Sequence, residues 1–216
     1  KTPQNRTILC IEDEHFISEL YARALTKAGY QVTVEADGVK AMQLRHRAAE
    51  VATNDLGDKN RAVAFYEEIL EAERTDTKAQ ASLRALYGDL GKFNELAKLL
   101  GTLVELAEAP AERSALRIEL ARLQLEKFEA PREASDTLRA VLDEEPDHPE
   151  AANVLLEIFD KGDRHAELAE LRTQLVERAR ARGDVAGELQ QRVELGAVLA
   201  LRVKDVFEVG PTVYVR

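Results

Sequence analysis

Five short breaks interrupt a stretch otherwise built from good helix formers such as Ala, Leu, Glu and Arg: Gly57-Asp58, Gly91-Lys92, Glu129-Ala130-Pro131, Gly162-Asp163 and Lys204-Asp205. Their first residues stand 34, 38, 33 and 42 positions apart. A period in this range marks an internal repeat. Positions nine and thirteen after the first four breaks are Tyr66 and Leu70, Leu100 and Val104, Leu138 and Leu142, and Leu171 and Leu175. All are apolar, and the four-residue step puts each pair on one helix face. The helices before the breaks carry apolar residues as well, such as Leu83, Leu86 and Tyr87, and later Leu155, Leu156 and Phe159. A helix pair cannot bury its apolar face alone, so such pairs must stack on one another. The pattern predicts helix hairpins from 45 to 205, with no strand between.

Two segments make the likeness specific. Ala81-x-Leu83-x-x-Leu86-Tyr87-x-x-x-Gly91-Lys92-Phe93 resembles the first helix and turn of a tetratricopeptide repeat, and Glu145-Pro146-Asp147-His148-Pro149-Glu150-Ala151 resembles its inter-repeat linker. The resemblance covers about four and a half units and lacks the family's Trp. It implies an α-α superhelix whose concave face holds a protein or peptide. The register of the repeat assigns that face to the polar positions Arg84, Arg117, Glu119, Asn153 and Gln191 of the first helices.

Residues 1–44 follow another rule. Thr7 to Ile11 is a short apolar run that reads as a buried strand. Phe16, Ile17, Leu20, Tyr21, Ala24 and Leu25 recur at helical steps, Gly29 ends that helix, and Tyr30, Val32 and Val34 alternate as a second strand. Another helix opens after Asp37-Gly38. The order β-α-β-α builds parallel sheets. Ile8-Leu9-Cys10-Ile11-Glu12-Asp13-Glu14 and Ala36-Asp37-Gly38-x-x-Ala41 are similar to the front of a response-regulator receiver, a flavodoxin-like fold. That resemblance implies a weak Mg²⁺ site at Glu12 and Asp13, since hard carboxylate oxygens suit the ion. The phosphoacceptor strand is missing: Asp55 stands at the right distance, but it follows a helical pattern and reads as a surface turn residue. Two strands are too little sheet to stand alone, so the tail, the first repeat or a second copy must complete them, and self-association through this half-domain is the favoured expectation. A receiver fragment joined to repeats reads either as a fusion of pieces or as a natural degenerate receiver.

Residues 206–216 read as strand, turn and strand around Gly210-Pro211. The domain expectation is therefore a receiver-like fragment at 1–44, repeats at 45–205 and a β tail at 206–216.

The acidic balance, 40 Asp and Glu against 30 Lys and Arg, argues against a nucleic-acid binder, which needs clustered cations. Arg178-Ala179-Arg180-Ala181-Arg182 reads as the cationic end of a helix. The four histidines, His15, His46, His148 and His165, are scattered without metal-ligand spacing and read as surface residues. The single Cys10 fits a reducing compartment, and no run is apolar enough to span a membrane. These features together predict a cytoplasmic, non-catalytic interaction scaffold. The alternative is a two-component signalling receiver that binds Mg²⁺ at the acidic pair.

Overall fold

The helix boundaries show how regular the repeat is. The computed structural model describes residues 7–11, 15–35 and 38–208. Strand β1 (Thr7–Ile11), helix α1 (His15–Lys27) and strand β2 (Gln31–Glu35) come first. The helices that follow are α2 (Gly38–Asn54), α3 (Lys59–Ala72), α4 (Thr77–Asp89), α5 (Phe93–Leu106), α6 (Pro110–Glu126), α7 (Pro131–Glu144), α8 (Pro149–Lys161), α9 (His165–Ala181) and α10 (Val185–Glu208). Both ends of α2, α3 and α4 lie 72 residues before the corresponding ends of α6, α7 and α8, and α5 starts 72 residues before α9. The true structural period is thus a pair of hairpins.

Local chemistry sets these bounds. Asp58 and Asp76 cap α3 and α4, accepting from the backbone N–H of Arg61 (3.0 Å) and Ala79 (2.8 Å). Helices α6, α7 and α8 instead open on Pro, whose missing N–H costs nothing in the first turn. The turns within the four hairpins each hold one residue at positive φ: Gly57 (64°), Gly91 (67°), Glu129 (50°) and Asp163 (53°). In the fourth turn the left-handed residue is Asp163, one place after the glycine that marks the break in the sequence.

The chain divides into two compact units, Lys1–Leu99 and Leu100–Arg216, and the boundary falls inside α5. In the first unit, β1 and β2 pair in parallel with Thr7 opposite Gln31 and Ile11 opposite Glu35. Helix α2 runs unbroken through residue 44, the expected domain edge, and packs against α3. The core of this unit is Tyr66, Ile69, Leu83, Leu86 and Tyr87, with Ala49, Ala62 and Ala79 fully buried. In the second unit Leu138, Val141, Leu155 and Phe159 fill the same places, with Ala121, Ala134 and Ala151 fully buried. Alanine at these matched points lets helix backbones approach closely, while the larger residues fill the space beside them.

Two expectations are corrected. Lys204-Asp205 is not a turn, and residues 206–208 are not strand: α10 continues through both to Glu208. Residues 201–208 hold neither glycine nor proline, so nothing there interrupts a helix once it is propagating. The rest of the expected tail, 209–216, lies outside the described residues. The histidines are also not simple surface residues. His46, His148 and His165 are all half-buried, and the first two have structural partners.

Candidate partner-binding surface

Within each unit an ion pair bridges the first helices of two hairpins and forms a seam there. In the first unit Lys78 of α4 donates to Glu50 of α2. In the second, Arg122 of α6 donates to Glu150 of α8. These are the same positions 72 residues apart with the charges exchanged. Lys78 lowers the pKa of Glu50 through its hydrogen bond and its charge, and the Lys78 ammonium is held above its ordinary value in return.

The exchange extends beyond the seam. Arg47 corresponds to Glu119, and Glu67 to Arg139. Around the second seam, Glu119 and Arg122 are three residues apart on one face of α6, as Glu150 and Asn153 are on α8. Arg122 ties those two faces together, so Glu119, Glu150 and Asn153 border one acid-rich strip. The equivalent strip of the first unit carries Arg47 and Lys78 beside Glu50. One backbone template therefore presents opposite charge patterns in the two units.

The five face residues predicted from the repeat register divide by role. Asn153 is exposed on α8, and Glu119 is half-buried on α6. Arg84 is half-buried on α4 in the first unit. Arg117 turns toward its own hairpin partner, donating to Ala140 O (3.2 Å) and Glu144 Oε1 (2.7 Å). Glu144 also accepts from Arg113 Nε (2.8 Å), and the two guanidiniums hold its carboxyl below the usual range. Gln191 of α10 accepts from Arg172 Nη1 (3.2 Å) on α9. Arg117 thus acts within its hairpin, and Gln191 joins α10 to the hairpin before it. Glu12 and Asp13 lie outside the described residues, and among the described residues no group of three or more His, Cys, Asp or Glu side chains is placed to hold a metal ion.

A second feature escaped the sequence reading. A cavity of about 320 Å³ opens between α7, α8 and α9, lined by Leu142, Leu155, Phe159 and Leu171, with Arg139 and Arg178 at its walls. Its size is at the small end for a ligand site. Phe159 carries the Arg139 guanidinium 5.4 Å from its ring centre and that of Arg164 at 4.5 Å. Arg164 is fixed by Glu167 (2.7 Å) and by the buried Ser135 hydroxyl (3.0 Å), and it depresses the Glu167 carboxyl. In the first unit the matching residues close on each other instead, with the Tyr87 hydroxyl donating to Glu67 Oε1 at 2.7 Å. Burial, and then that hydrogen bond, push the Tyr87 phenol up. The loss of one hydroxyl and the change of Glu to Arg replace that hydrogen bond in the second unit by the stacking of Arg139 on Phe159. A 72-residue self-comparison of the sequence holds that signal.

Both units contain the same helix-hairpin plan. Comparison with solved structures finds a crystal structure of MamA protein at 17% identity, covering 81% of this chain and 98% of that one, with a TM-score of 0.45. YrrB, described as a TPR protein with an unusual peptide-binding site, matches at 15% identity over 79% of this chain and all of its own, with a TM-score of 0.43. TTC0263, a thermophilic TPR protein of Thermus thermophilus, matches at 18% identity over 76% of this chain and 96% of its own, with a TM-score of 0.32. No family model matches the chain. No curated protein matches it either. Among the described residues no helix is long and apolar enough to cross a membrane.

Proposed function

We propose that the chain is a non-catalytic scaffold that captures protein segments on its first-helix faces. The observation that carries this reading is the charge exchange along the seams, Glu50–Lys78 against Arg122–Glu150, on matched helices. The strip with Glu119, Glu150 and Asn153 suits a basic peptide, and the strip with Arg47 and Lys78 suits an acidic one. The test is titration of short acidic and basic peptides against the full chain, followed by backbone NMR shifts. Basic peptides should shift Glu119 and Asn153, and the double variant Glu119→Lys, Asn153→Lys should weaken them at least tenfold with an unchanged circular dichroism spectrum. Equal binding by the variant would overturn the reading.

The parallel pairing of β1 and β2 supports a second contact, with another copy adding to this small sheet. Leu20, Tyr21 and Val34 are exposed around it at 58%, 51% and 39%. The same β-α-β order favours the receiver alternative, in which Glu12 and Asp13 hold Mg²⁺. Labelling of the full chain by a small acyl-phosphate donor that depends on Mg²⁺ would support that alternative, and absence of labelling would exclude phosphotransfer.

A further inference from the structure

Helix α10 is apolar on two opposite faces. One face packs on α9: Val198 is buried in the core of the second unit, Leu195 packs against it, and Glu194 and Gln191 accept from Arg172. The other face carries Val185, Leu189 and Val193, which are 75%, 64% and 63% exposed. At 100° per residue these three fall in one stripe with Gly196 and Ala200, turned about 180° from the packed face.

We propose that this stripe joins two copies of the chain, with their α10 helices antiparallel about a two-fold axis close to Val193. The order of side-chain size along the stripe selects that arrangement. Its first half is bulky (Val185, Leu189) and its second half is small (Gly196, Ala200). In an antiparallel pair centred beside Val193, Leu189 faces Gly196 of the second copy and Val185 faces Ala200. Each large side chain then enters a gap, as helix packing requires. A parallel pair would set Leu189 against Leu189 and leave an empty slot at Gly196. That slot is open on the surface, since a Cβ built at Gly196 meets nothing within 4 Å.

Charge and area agree with the arrangement. Arg192 flanks the stripe near the proposed axis and is neutralised within its own helix by Glu188 at 2.7 Å, so association buries no lone charge. The two stripes together remove on the order of 1,000 Å² from water, the lower edge of what specific interfaces bury.

Cysteine cross-linking of the full chain in a Cys10→Ser background tests the geometry. Under mild oxidation Val193→Cys should give a disulfide-linked dimer at least ten times faster than the exposed control Asn153→Cys. A mixture of Val185→Cys and Ala200→Cys chains should cross-link one to the other, and adding Leu189→Glu to Val193→Cys should abolish its dimer while circular dichroism stays unchanged. Contact through the β1–β2 sheet would leave all three patterns absent. A rate at Val193 equal to that of the control, insensitivity to Leu189→Glu, or a monomer at every concentration in sedimentation equilibrium would each overturn the proposal. A monomer that binds a foreign amphipathic helix on this stripe would do so too.

Discussion

Asp76 does two jobs with one carboxylate. It caps α4 through Ala79 N–H and accepts from the His46 ring at 2.8 Å across to α2. Burial alone would raise its pKa, but these hydrogen bonds outweigh burial and hold the group below its ordinary 3.8. A depressed carboxyl stabilises the fold above its unfolded pKa and loses that contribution as pH falls through the folded value. Thermal unfolding should therefore show an acid-side loss beginning near pH 4, and the loss should shrink in Asp76→Ala. At neutral pH that variant should cost about 1–2 kcal/mol, the range for a lost cap. Glu129 presents the opposite case. It holds φ at 50° in a turn where two of its counterparts are glycine. Glu129→Gly should raise stability by about 0.5–1 kcal/mol in denaturant titration, because relief of the left-handed strain outweighs the unfolded-chain entropy that glycine adds. Neither residue was legible in the sequence in this role. Asp76 stood in a polar connector, and Glu129 marked a break without showing that it takes a left-handed conformation.

At the scale of the element, glycine position decides the outcome. Gly101 lies inside α5, where an added Cβ meets nothing within 4 Å. Gly101→Ala should stabilise by about 1 kcal/mol, the helix-propensity difference, measured as a higher midpoint in urea. Gly187 lies in the first turn of α10, where a Cβ would run into the Asp184 carboxylate that accepts the Gly187 N–H. The same substitution there should displace that carboxylate and lower the midpoint. Most helices were legible because four-residue apolar steps and turn residues agree. The end of α10 was not, since Val206-Phe207-Glu208 has strand-like composition that an already propagating helix overrides. The face residues show the same limit. Repeat register placed Arg117 on α6, but only the long reach of its guanidinium to Glu144 shows that it belongs to the hairpin.

Across the whole molecule, equal spacing creates a hazard. Two hairpin pairs with matched helix lengths and matched buried alanines can trade neighbours while the chain folds, or between chains at high concentration. The native seams pair Glu50 with Lys78 and Arg122 with Glu150. If α2 took α8 as its neighbour, Glu50 would face Glu150. If α6 took α4, Arg122 would face Lys78. Every exchanged pairing puts like charges together, so the seams work as address labels that reject the wrong helix. The double variant Glu50→Arg, Lys78→Glu keeps a native ion pair but gives both seams one polarity. Its unfolding midpoint should match the wild type, while its refolding yield should fall and domain-swapped dimers should rise with protein concentration, read by size exclusion. The inverted charges at the 72-residue offset are then a form of error correction, by which a chain built twice on one plan keeps its copies from being mistaken for each other.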